Sequence, residues 1–147
     1  QTYLIATICV ERTGIIRALD SGLPSICHSK EGRPFALPVA FIAGIEPAIK
    51  PAANQSSTQT IGILATKGTL NSELFHNTVA NFSDVKIIEQ VGHGLVQLIE
   101  NGEIESKEMN QLLKSYIKPM LEKNIDHLVL GCTHYYYLIC ILKKIPY

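Results

Sequence analysis

The sequence lacks several features that mark common classes of protein. It has no excess charge of either sign, since 13 basic residues balance 13 acidic ones among 147. Nucleic acids and anionic membranes are bound through clustered positive charge, so we expect neither as a partner. No apolar run approaches the roughly 20 residues that span a bilayer. The opening residues have no basic leader before their apolar part, so we predict no signal peptide.

Closely spaced metal ligands and cofactor motifs are also missing. The cysteines form no CxxC pair, and the five histidines are scattered along the chain. A structural zinc site takes its ligands in close pairs, so we expect no metal. There is no GxGxxG motif, which argues against a nicotinamide cofactor. A chain with 46% hydrophobic residues can build a core without disulfides, so we predict reduced thiols and a cytoplasmic protein.

The sequence does contain short apolar runs that alternate with helical patterns. Runs of strand length occupy residues 2–10, 38–44, 60–66, 84–91 and 126–132. Helical patterns follow at residues 67–82, 94–102, 106–124 and 134–145, with Ser106 as the predicted N-cap of the third. The runs are apolar throughout rather than alternating. This favours an α/β fold, with a mostly parallel sheet covered by helices on both faces.

Two segments interrupt this alternation. Residues 11–24 are predicted to form a short helix that Gly22 and Pro24 end. Residues 44–59 carry two prolines and a polar tract, which predicts a turn and a connector between two lobes.

The segment LVLGCTH, residues 128–134, places a cysteine where a strand meets a helix. Ligands of open α/β sheets bind beyond the carboxyl ends of the strands. A helix N-terminus would lower the pKa of the Cys132 thiol, and His134 could hold a proton near neutral pH. The residues alone leave a second interpretation open, in which Cys132 is a small buried residue and His134 caps the helix.

Several motifs resemble one known family. LVLGCTHYYYL, residues 128–138, resembles the second-cysteine motif of the cofactor-independent aspartate/glutamate racemases. Three further segments resemble glutamate racemases, in the order that the family shows. They are GIEPAIKPA (44–52), IGILATKGTLNSELF (61–75) and GLVQLIENGE (94–103). Together the resemblance covers roughly residues 38–145.

The resemblance implies two α/β lobes with glutamate between them, each lobe supplying one cysteine. One thiolate would remove the α-proton, and the other thiol would donate a proton to the opposite face. It implies interconversion of L- and D-glutamate for peptidoglycan synthesis, without metal or cofactor. Residues 1–43 would then be a partial or divergent first-lobe segment, residues 44–59 the connector, and residues 60–147 the second-cysteine lobe with the start of a return segment.

The resemblance also implies roles for individual residues. Cys132 matches an acid/base cysteine, His134 the histidine that assists it, and Thr133 a substrate contact. Glu100 matches a glutamate that pairs with this histidine, and Thr69 a residue of the pocket wall. From the residues alone, Glu100 could equally be a solvated helix end, and Thr69 an N-cap for a helix over residues 70–82.

The first-cysteine motif of the family is not reproduced. Cys9 follows a strand, but Val10 and Glu11 stand where the family has asparagine and threonine. Cys9 and Cys27 are both candidates for the second acid/base, and the residues alone leave Cys9 as a core residue and Cys27 as a surface thiol.

Two further segments depart from the family. Asp20, Ser21 and Gly22 spell a family motif but follow a helical pattern, so we interpret them as a turn. Tyr136 stands where the family usually has proline.

Three hypotheses therefore remain open. The chain is a racemase that uses Cys132 and a second thiol, an inactive lobe that binds a small carboxylate or a protein partner, or a partial product. In the third case an uncovered apolar face would drive association into a homo-oligomer.

Overall fold

The computed structural model describes residues 4–10, 16–18, 40–43 and 45–144. Their strands form one sheet, composed of β1 (Leu4–Val10), β2 (Ile16–Ala18), β3 (Ala40–Ala43), β4 (Thr60–Ala65), β5 (Lys86–Val91) and β6 (His127–Gly131). The strand order is β2-β1-β6-β4-β5, and β3 pairs with the part of β1 that β2 leaves free.

Helices connect and cover these strands. They are α1 (Ile45–Gln55), α2 (Lys67–Leu70), α3 (Glu73–Ala80), α4 (Leu95–Glu100), α5 (Lys107–Glu122) and α6 (Ile139–Lys144). A 3₁₀ helix, Thr133–Leu138, joins β6 to α6. Among the described residues, no helix is both long and apolar enough to cross a membrane.

The parallel part of the sheet, formed by β5, β4 and β6, carries the core. Every residue of β4 and β6 is buried. On one face, Ile61 and Ile63 pack with residues of α1 and α3. On the other, Leu64 and Leu128 pack with residues of α4 and α5. This arrangement confirms the predicted α/β fold, with helices on both faces of a parallel sheet.

The sheet on the other side of β6 is antiparallel. β1 pairs antiparallel with β6, β2 and β3. The apolar runs at residues 2–10 and 38–44 contain β1 and β3, and these two strands join the sheet in antiparallel pairs. An uninterrupted apolar run indicates burial on both faces but does not encode strand direction.

The connector predicted over residues 44–59 contains helix α1, so the predicted turn is wrong for residues 45–55. Ala48, Ile49 and Ala52 are fully buried. They pack against Ile61 and Ile63 of β4, which places α1 in the core of the second lobe. The recurrence of these small apolar residues one turn apart is the helical signal that the two prolines obscured.

The helix predicted over residues 67–82 is divided in two. Asn71 ends α2, and the Ser72 hydroxyl accepts a hydrogen bond from the backbone N–H of Phe75 to start α3. The Ser106 hydroxyl accepts from the backbone N–H of Met109, which confirms Ser106 as the N-cap of α5.

The predicted short helix over residues 11–24 is contradicted at residues 16–18, which form β2. The interpretations of Asp20, Ser21, Gly22 and Cys27 fall outside the described residues.

Candidate active site

Cys132 lies at the carboxyl end of the parallel strands. It directly follows Gly131, the last residue of β6, and is the N-cap of the 3₁₀ helix. Its backbone is extended, with φ −150° and ψ 140°. The side chain is half-buried and carries a free thiol. Cys132 is therefore accessible at the sheet edge where ligands of such folds bind.

Cys132, His134 and Glu100 form a continuous chain of polar groups. The Cys132 Sγ lies 3.8 Å from the His134 Nδ1. The opposite ring nitrogen of His134, Nε2, lies 3.3 Å from the Glu100 Oε1. When Nε2 carries the proton and donates a hydrogen bond to Glu100, the Nδ1 lone pair faces the thiol and can accept its proton. The structure thus brings together three residues that the sequence analysis had singled out.

The pKa of the Cys132 thiol is raised because the side chain is buried. Hydrogen bonds from the backbone N–H groups of His134 and Tyr135 act in the opposite direction, but burial outweighs them. The expectation that the helix N-terminus would bring this pKa down is therefore wrong. A thiol with a raised pKa needs a nearby base to become a thiolate at neutral pH, and His134 is placed to act as that base.

Thr69 links the end of β4 to the end of β6. It lies in α2, and its hydroxyl donates to the Gly131 carbonyl over 3.2 Å. The Thr66 and Thr69 hydroxyls are 3.0 Å apart, and Thr66 is the N-cap of α2. The alternative in which Thr69 caps a helix over residues 70–82 is therefore wrong. Thr133, the first residue of the 3₁₀ helix, is half-buried beside Cys132.

Cys9 does not join this arrangement. The antiparallel register pairs Cys9 with His127, the first residue of β6. Cys132 follows the other end of the same strand, five residues further on, which corresponds to roughly 16 Å at 3.3 Å per residue. The backbone therefore places Cys9 at the opposite end of the sheet from Cys132. As a second acid/base acting with Cys132 inside one chain, Cys9 is contradicted by this register.

Cys140 differs from Cys132 because it is disulfide-bonded. The prediction that all four thiols are reduced is therefore wrong for this residue.

Sequence reasoning missed one buried residue that lies beneath the site, Tyr135. Its side chain is fully buried, and its hydroxyl donates to the Gly92 carbonyl over 3.1 Å. Gly92 lies just before α4, the helix that ends at Glu100. A Cβ added at Gly92 would clash with the Tyr135 Oη, so the tyrosine requires a glycine there. The available signal was the GHG sequence at residues 92–94, which predicts a tight approach of two chain segments.

Comparisons with known proteins identify the family of this chain. The family model described as Asp/Glu/Hydantoin racemase matches residues 36–139. A glutamate racemase from Ralstonia pickettii (strain 12J) is 48% identical over 98 residues, which cover 66% of this chain and 35% of that protein. A glutamate racemase from Pseudomonas syringae pv. tomato is 44% identical over 104 residues, covering 70% and 38%. The chain thus spans little more than a third of the length of these relatives.

The comparison with solved structures also finds glutamate racemases. The glutamate racemase of Escherichia coli, in complex with L-glutamate and the activator UDP-MurNAc-ala, superposes with a TM-score of 0.57 at 30% identity. That match covers 68% of this chain and 39% of the other. A glutamate racemase isoform from Bacillus anthracis gives a TM-score of 0.59 at 28% identity, covering 68% and 38%.

Proposed function

This chain belongs to the Asp/Glu/Hydantoin racemase family, and on that premise we propose that it carries the second-cysteine lobe of a glutamate racemase. In this proposal the lobe comprises residues 60–147 together with helix α1, and it supplies one acid/base thiol for interconverting L- and D-glutamate. The observation that carries the proposal is the chain from the Cys132 Sγ through His134 to Glu100 at the carboxyl end of β6.

The proposed chemistry is a proton transfer at the α-carbon. The Cys132 thiol passes its proton to His134, and the resulting thiolate removes the α-proton of glutamate. The electron pair of the broken C–H bond stays on the α-carbon beside the carboxylate. An acid on the opposite face then returns a proton to that carbon, which completes the inversion. Glu100 assists because its carboxylate accepts a hydrogen bond from the His134 Nε2–H and so keeps Nδ1 facing the thiol.

In this proposal Thr133, which is adjacent to Cys132, donates to the substrate carboxylate. The Thr69 hydroxyl already donates to the Gly131 carbonyl, so its role would be to form the wall of the site. A donor beside Cys132 would stabilise charge that spreads from the α-carbon onto the carboxylate. The proposal includes a cytoplasmic setting and a role in peptidoglycan synthesis, which is supported by the likeness to glutamate racemases. It requires no metal or organic cofactor, because thiol and imidazole supply the acid and base.

The test is exchange of the α-proton in deuterated water. The 147-residue chain is incubated separately with L- and D-glutamate, and the loss of the α-proton signal is followed by NMR. Exchange from one enantiomer without inversion indicates one working thiol, and inversion indicates two. Cys132→Ser should abolish either signal, whereas exchange that persists in this variant would overturn the proposal.

A second candidate function is an inactive lobe that binds a small carboxylate or a protein partner. The register that places Cys9 at the far end of the sheet supports it, because that thiol cannot act opposite Cys132 within one chain. This candidate predicts that glutamate binds, as measured by calorimetry, while neither enantiomer exchanges its α-proton.

A further inference from the structure

We propose that Tyr135 is a positioning residue, which holds helix α4 against the Cys132 segment and so keeps Glu100 in register with His134. This inference rests on the proposed function for its meaning in catalysis. It concerns a contact that lies beneath the site rather than in it, since Tyr135 is fully buried.

Two consecutive residues of the 3₁₀ helix contact the two ends of α4. The Tyr135 hydroxyl donates to the Gly92 carbonyl, two residues before the Gly94 N-cap of α4. His134 contacts Glu100, the last residue of the same helix. Helix α4 is therefore held at its start by a buried hydrogen bond and at its end by an exposed ion pair.

The two contacts differ in what they can contribute. The His134 and Glu100 side chains are 40% and 57% exposed, and such a pair is too weak to fix a helix by itself. The bond from Tyr135 to Gly92 is buried, and losing it would leave the Gly92 carbonyl with only the longer bond, 3.4 Å, from the Leu95 N–H. The buried hydrogen bond therefore holds the start of α4 in place, and this keeps Glu100 within reach of His134.

The segment before α4 also forms hydrogen bonds with β4 and α5. The Gly92 N–H donates to the Ala65 carbonyl at the end of β4. Tyr116 of α5 donates to the adjacent His93 carbonyl over 2.8 Å. The turn before α4 is therefore fixed to the sheet and to α5, and Tyr135 is the residue that ties it to the Cys132 segment.

The test measures the reactivity of Cys132 and needs no glutamate. The 147-residue chain reacts with iodoacetamide between pH 5 and 10, and mass spectrometry quantifies alkylation at Cys132. The groups that act on this thiol are the His134 imidazole, the Glu100 carboxylate behind it and the Tyr135 hydroxyl. The two experiments are independent. A negative alkylation result does not contradict the proposed racemase chemistry, and an absence of α-proton exchange does not contradict the positioning role of Tyr135.

We expect Tyr135→Phe to lower the alkylation rate at pH 7 about threefold, the size expected for one weakened hydrogen bond. Glu100→Gln should lower the rate in the same direction. The double variant should show no further loss beyond Glu100→Gln, because Tyr135 acts through Glu100. Tyr137→Phe is the matched control: it removes an exposed hydroxyl from the same 3₁₀ helix and should leave the pH profile unchanged.

A Tyr135→Phe profile identical to that of the wild type, with only a lower unfolding temperature, would overturn the proposal. Additive losses in the double variant would do the same. If Tyr135→Phe does not fold, p-aminophenylalanine at this position decides the question, because it keeps a donor at the same place. If the p-aminophenylalanine variant keeps the wild-type alkylation profile, the result supports positioning by the hydrogen bond. A threefold loss of the alkylation rate in this variant contradicts the proposal.

Discussion

The two ends of strand β6 each carry a histidine paired with a carboxylate, but the two pairs differ in their exposure and in the groups around them. At the amino end, His127 lies 3.0 Å from Asp126 and only 4% of its side chain is exposed. At the carboxyl end, His134 lies 3.3 Å from Glu100 and 40% of its side chain is exposed. The second ring nitrogen of His134 faces a thiol. The pairing of residue types is therefore not what distinguishes a reactive histidine from a structural one.

The pair at the amino end is surrounded by fixed donors. Asp126 accepts hydrogen bonds from the Ser56 hydroxyl, from the Ser57 N–H and hydroxyl, and from the Thr58 N–H. These bonds tie the turn between α1 and β4 to the start of β6. Burial alone would raise the pKa of Asp126, but the hydrogen bonds from His127, Ser56, Thr58 and Ser57 lower it well below its usual value. We interpret this end as a clamp that holds the fold.

The largest expected effect on stability is at this clamp. Asp126→Ala should lower the free energy of unfolding by about 3 kcal/mol, because several donors lose a charged acceptor. Urea unfolding followed by circular dichroism measures the change. The alkylation profile of Cys132 should not move. A change in that profile with unchanged stability would reverse the assignment of the two ends.

The clamp should also give the protein an acid-sensitive stability. The folded pKa of Asp126 is lower than its unfolded value. Its contribution is therefore fully present above the unfolded pKa, about 3.9, and is lost as the pH falls below it. In Asp126→Asn, stability should fall less between pH 6 and pH 3 than in the wild type. Equal pH dependence in the two proteins would show that Asp126 does not carry this effect.

The smallest expected effect on stability is at the carboxyl end. Glu100→Gln should change the free energy of unfolding by less than about 0.5 kcal/mol, because the pair with His134 is exposed. The same variant should lower the alkylation rate of Cys132 at pH 7, since the imidazole then loses the carboxylate that orients its Nδ1 toward the thiol. A stability loss comparable to that of Asp126→Ala would remove the contrast between the two ends.

Much of the parallel core could be predicted from the sequence. The apolar runs at residues 60–66, 84–91 and 126–132 contain β4, β5 and β6. Ser106 caps its helix as predicted. These features depend on local pattern, and local pattern is what a single sequence displays. The Cys132 motif was recognisable for the same reason, because Gly131, Cys132 and His134 are close in sequence.

What could not be predicted depends on contacts between distant residues. The hydrogen bond from Tyr135 to Gly92 joins positions 43 residues apart. The direction of β1, and with it the place of Cys9, is set by pairing with β6 rather than by the run itself. Helix α1 was mistaken for a connector because prolines and polar residues outweighed four buried apolar ones in its pattern. The burial that raises the pKa of Cys132 is likewise a property of packing.

The central claim is that the carboxyl end of β6 performs proton transfer while its amino end maintains the fold. The most direct measurement compares α-proton exchange of glutamate in deuterated water for His134→Gln and His127→Gln, each scaled to the folded fraction. The account predicts a loss of about a hundredfold or more for His134→Gln, as for removal of a general base, and near wild-type exchange per folded molecule for His127→Gln. Equal loss in both variants, or undiminished exchange in His134→Gln, would contradict it.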